Sequence, residues 1–139
     1  MNEEENNKND YDKVNYWIEI ADYDLETARV MLNNGRFLYV GFMCHQAVEK
    51  ILKAYHVKNT KEMPPYIHGL KKIAEKSNIY SEFSEEQIMV LATLEPLNVE
   101  GRYPMFKEQI SKTLNESICK KLIKDTEELM KWIKNKLEE

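Results

Sequence analysis

The sequence predicts an all-α chain, a five-helix up-and-down bundle, and three observations predict it. Hydrophobic residues make up 42% of the chain against four Gly and four Pro, a balance that suits helices joined by short connections. Between Arg36 and Lys58 the residues Phe37, Gly41, Cys44, Val48, Ile51 and Tyr55 recur at alternating steps of four and three, the period of a helix. The same period returns towards both ends of the chain, over residues 11 to 34 and from Thr113 onward.

Residues 1 to 10, MNEEENNKND, carry no apolar side chain after the initiator, which predicts an unstructured tail and leaves residues 11 to 139 as a single domain. In the first helix Val14, Trp17, Ala21, Leu25, Ala28 and Leu32 share a face, acids gather in its first half, and Asn33, Asn34 and Gly35 supply the stop. So short a connection to the next helix makes the two an antiparallel hairpin. The second helix is the centre of the bundle: Leu38, Phe42 and Leu52 widen its apolar face, leaving Gln46, Lys50 and Lys53 as a narrow strip for solvent.

Pro64 and Pro65 forbid continuation, so residues 59 to 66 are a loop. A short third helix from about His68 to Lys76 places Leu70, Ile73 and Ala74 inward. Ser84 with Gln87 reads as a capping box opening a fourth helix, which Pro96 kinks or closes. Residues 97 to 112 show no clean period and contain Gly101 and Pro104, which predicts an ordered loop with at most a helical turn. Thr113 with Glu116 is a second capping box, and Leu114, Ile118, Leu122, Leu129, Ile133 and Leu137 carry the last helix to the end.

Charge and motifs exclude more than they select. The net charge of -4 argues against a protein that coats nucleic acid non-specifically. It is uneven: residues 1 to 35 hold nine acids against three bases, so a local basic cleft remains open. Cys44 and Cys119 lack the close spacing of zinc or redox motifs and are expected as free, buried thiols. No glycine-rich phosphate loop, nucleophile elbow or metal-ligand spacing occurs, so neither cofactor nor metal is expected. No apolar run approaches the ~18 residues of a membrane span, and an acidic N-terminus without a signal-peptide core points to a cytoplasmic protein.

The residues left to carry chemistry are few. Imidazole titrates near neutrality, which makes His45, His56 and His68 acid-base candidates against a plainer reading at a core border, a helix end and a helix cap. Arg102 is one of only three arginines and follows Gly101. A guanidinium grips phosphate bidentately where lysine offers a point charge, and Tyr103 beside it offers a ring or a hydroxyl. Lys50 and Lys53 are candidate anion contacts on the second helix, and Glu49 reads as a salt-bridge partner for another helix.

Three stretches resemble the HEPN family of small helical domains: ADYDLETARVMLNNGRF at residues 21 to 37, CHQAVEKILKAY at 44 to 55, and GRYP at 101 to 104. His68-Gly69-Leu70 is similar to the H-x-L of that family's third helix. The resemblance spans roughly residues 14 to 135. It implies a five-helix bundle that pairs as a homodimer and binds a nucleotide or RNA phosphate through Arg102, to which the residues themselves add Tyr103, Lys50, Lys53 and His45 as candidate contacts. Many HEPN proteins are metal-independent ribonucleases with an Arg followed by a His at a set distance. Here the corresponding positions are Lys107, Glu108 and Gln109, and no histidine follows His68. The branch it is most similar to is encoded beside a minimal nucleotidyltransferase, as a toxin-antitoxin type pair. The expectation is therefore a non-catalytic partner of that enzyme, with a ribonuclease toxin using His45, or a purely structural helical dimer, as alternatives.

Overall fold

The computed structural model describes residues 3–139, apart from the side chains of residues 6 and 7, and these form six α-helices and two 3-10 turns with no strand. Helices α1 (Glu3–Asn33) and α2 (Phe37–Thr60) make the long hairpin that the short connection predicts. Gly35 at φ +69° makes the reversal between them, and the Arg36 amide donates to the Met31 carbonyl at 2.8 Å. From α1, Val14, Ala21, Leu25 and Ala28 are buried, with Trp17 and Leu32 packed at the margin. The helix opens at Glu3, inside the segment expected to be an unstructured tail, while Met1 and Asn2 lie outside the described residues. Three glutamates in its first turn complement the positive end of the helix dipole.

Helix α2 is central, packing against α1, α6 (Glu116–Leu137) and α3 (Leu70–Lys76). Val40, Cys44, Ala47, Val48, Ile51 and Leu52 are all fully buried, and each large aliphatic among them contributes about 1.5–3 kcal/mol of transfer free energy. At Gly41 an added Cβ would meet Leu97 Cδ1 at 3.1 Å and Leu114 Cδ1 at 3.3 Å, so the absence of a side chain there sets how closely those residues approach α2. The helix ends where Lys61 enters the left-handed region at φ 63°.

Helix α4 (Glu85–Leu94) opens on the expected capping box: Ser84 Oγ accepts from the Gln87 amide while Gln87 Oε1 accepts from the Ser84 amide. A 3-10 turn, Glu95–Leu97, closes it at Pro96. Two expectations fail nearby. Within the stretch expected to be a loop stands α5 (Pro104–Ser111), the sixth helix; Pro104 opens it, because proline's fixed φ suits the first helical position and its missing N–H has no partner there to lose. The last helix is capped by Asn115, whose side chain accepts from the Ile118 amide at 2.9 Å, and not by Thr113, whose hydroxyl turns back to the Ile110 carbonyl. Leu122, Leu129, Ile133 and Leu137 of α6 are buried as expected, joined by Cys119, Ile123, Thr126 and Met130. Both cysteines are free and buried, and burial pushes the Cys44 thiol up to about 12 and that of Cys119 up to about 11.

Candidate functional site

The face of α2 expected to meet solvent is covered. Gln46 and Lys53 are buried and Lys50 nearly so, because α1 lies across them: Trp17 packs on the core and Asp24 comes within 3.9 Å of the Lys50 ammonium. At the centre is Glu49, 1% exposed. Its Oε2 stands 3.2 Å from Lys53 Nζ and 3.6 Å from Lys50 Nζ, and its Oε1 meets His68 Nδ1 at 3.2 Å. Lys50 also donates to Gln46 Oε1 at 2.8 Å, and Lys53 sits 5.7 Å from the centre of the Trp17 ring. Charges this deep persist only when paired. Burial raises the Asp24 carboxyl above its usual range although Lys50 pulls the other way.

His45 lies one turn before Glu49 and is fully buried. Burial pushes its pKa down to about 4, against the attraction of Glu49 and Glu95, so the ring is neutral. Gln46 approaches Nδ1 at 3.5 Å, and Nε2 has no hydrogen-bond partner among the described residues. His56 is also buried, one turn before Thr60, whose hydroxyl donates to its carbonyl. His68 is the histidine that reaches the surface, and it precedes α3 rather than capping it.

That cap reveals a residue the sequence reading passed over. Gly69 occupies the N-cap position and has no side chain to accept from the first amides of α3. Glu95 does so from the end of α4, taking the Leu70 and Lys71 amides at 2.8 and 3.2 Å. A glycine at the cap position offers those amides no side chain of its own, and nothing in the sequence names Glu95 as the acceptor.

Arg102 and Tyr103 lie elsewhere in character. Gly101 at φ +71° makes a turn closed by the Arg102 amide on the Val99 carbonyl at 3.2 Å, and Tyr103 in extended conformation leads into α5. The guanidinium lies over the Phe106 ring with its carbon 4.6 Å from the centre, and among the described residues it has no carboxylate partner. Tyr103 is 84% exposed. The structure thus gathers His45, Lys50 and Lys53 round Glu49, and sets Arg102 and Tyr103 apart on an exposed turn.

No helix among the described residues is long and apolar enough to cross a membrane, and no group of three His, Cys, Asp or Glu side chains among them could hold a metal ion. The family described as HEPN domain matches residues 14–136. No curated protein matches the chain. The crystal structure of TT1696 from Thermus thermophilus is similar in fold, with a TM-score of 0.75 at 16% identity over 89% of this chain and 98% of that one.

Proposed function

The chain belongs to the HEPN domain family, and from that premise we propose that it is a dimeric binder of nucleotide or RNA phosphate whose anion contact is Arg102. One observation carries this reading: an exposed guanidinium without a carboxylate partner among the described residues, steadied on Phe106 and set on a fixed turn at the start of a helix. Such a group has free bidentate donors to offer a phosphate, and Tyr103 offers an exposed ring on which a base can stack. Lys50 and Lys53, expected in the same site, pair with Glu49 instead, and His45 is buried in the core of α2.

The dimer rests on apolar side chains left at the surface, Tyr39 on α2 and Met89 on α4 among them. Light scattering should return about twice the 16.5 kDa of the chain. Its proposed partner is a minimal nucleotidyltransferase in a toxin-antitoxin type pair, which co-expression and co-purification of the two would test.

The deciding measurement is RNA binding by fluorescence anisotropy. Arg102→Ala should weaken binding about ten- to a hundred-fold, the loss of a charge-assisted contact of roughly 1.5–3 kcal/mol. Arg102→Lys should recover part of it, because it keeps the charge and loses the planar fork. Unchanged binding in Arg102→Ala would overturn the assignment.

A further inference from the structure

We propose that His68 and Lys72 form a second anion site, shaped for a nucleoside monophosphate, in which Glu49 positions the imidazole. The two residues line an open groove of about 630 Å³ between the 67–69 segment, α3 and the end of α4. Arg102 is not among its lining residues, and the proposal stands whether or not Arg102 binds phosphate.

The imidazole is held from behind. Glu49 is all but inaccessible, and its Oε1 at 3.2 Å from Nδ1 fixes the ring so that Nδ1 faces the protein. The second carboxylate oxygen is engaged by Lys53. With Nδ1 so occupied, Nε2 is the nitrogen left for a ligand, on a side chain that is 46% exposed.

The second member of the site is Lys72. Its stem lies along Gly69, where an added Cβ would stand 3.9 Å from the Lys72 Cβ, and its ammonium has no ion-pair partner among the described residues. Lys71 also lines the groove, with its ammonium 5.5 Å from the centre of the Tyr80 ring. Of the two acids in the groove, Glu95 is occupied by the Leu70 and Lys71 amides. Glu75 lines the groove as the opposing charge. The Lys72 ammonium supplies the counter-charge for a terminal phosphate, and Nε2 of His68 supplies a hydrogen-bond partner in the same groove. Tyr66, fully exposed and edge-on to His68 with ring centres 5.5 Å apart, offers the adjoining face for a base.

The test is a titration of the full chain with AMP, inorganic phosphate and adenosine, followed by the ring-nitrogen resonances of His68. AMP and phosphate should both move Nε2, AMP at lower concentration, while adenosine at the same concentrations should not. Lys72→Ala should weaken AMP binding at least ten-fold; Lys76→Ala, an exposed lysine of α3 outside the groove lining, should leave it unchanged. Tyr66→Ala should bring AMP down to the level of phosphate. Glu49→Gln should shift the neutral ring away from the Nδ1–H tautomer, a readout that a loss of packing alone would not move, and Lys72→Ala decides the matter if that variant does not fold. A His68 ring unmoved by AMP, or equal losses in Lys72→Ala and Lys76→Ala, would overturn the proposal.

Discussion

Two regions of this small bundle use the same kinds of residue to opposite ends. Along α2, Glu49 gathers Lys50, Lys53 and His68 within 3.6 Å in a seam closed by α1, so its charges are spent on one another. On the turn before α5, Arg102 rests on a ring and faces solvent with no ion-pair partner among the described residues. The difference teaches that a cation's place in the charge balance, and not its residue type, marks it as available to a ligand. Lys53 and Arg102 looked alike as phosphate candidates; one is already neutralised and the other is not.

The hardest test of the seam is to remove its acid. Glu49→Ala leaves two ammonium groups and an imidazole without their common acceptor, and breaking a buried pair in this way costs roughly 3–5 kcal/mol. Urea denaturation should show the loss directly. A change below about 1 kcal/mol would mean that solvent reaches the seam and screens it as at a surface pair, and the contrast with Arg102 would fail.

Why that contrast was only half legible follows from what a helical period can report. Apolar spacing found α1, α2, α4 and α6 and most of their buried faces, and the Ser84-Gln87 box marked the start of α4. It misread Gln46, Lys50 and Lys53 as solvated, because periodicity registers polarity and cannot register that α1 brings Trp17 and Asp24 across the strip. Pro104 reads as a breaker in the sequence, yet it begins α5. At the last helix two side chains competed for one cap, and Asn115 prevailed over Thr113. Glu95 was invisible for a related reason, since its acceptors' partners lie 24 and 25 residues away in sequence. At the candidate site the turn that carries Arg102 was legible from Gly101, whereas the Glu49–His68 contact required tertiary structure.

The seam also predicts an acid sensitivity that the exposed turn does not share. His45 sits at about 4 because burial disfavours its cation, while an unfolded histidine titrates near 6.5. Between those values the unfolded chain binds the extra proton, so this residue's contribution to stability is intact above pH 6.5 and is lost as pH falls towards 4. At pH 5 the loss should be about 2 kcal/mol. Melting temperatures of the protein and of His45→Asn, compared from pH 7.5 to 4.5, should converge towards the acid end. Parallel curves would show that His45 does not drive the acid response.

The smallest expected effect is the most discriminating for the open end of the comparison. If Arg102 is held in place chiefly by Phe106, its removal costs the fold no more than an exposed cation–π contact, about 0.5–1 kcal/mol, and the turn survives because Gly101 and the Val99–Arg102 backbone bond are untouched. Arg102→Ala should therefore melt within a few degrees of the parent protein while losing RNA. A drop of 2 kcal/mol or more would place the guanidinium among the ties that hold α5, and Arg102 would then belong with Lys53 as a spent charge. A normal melting curve with lost binding separates the two regions as drawn: the seam keeps the bundle together, and the turn is left free to meet a phosphate.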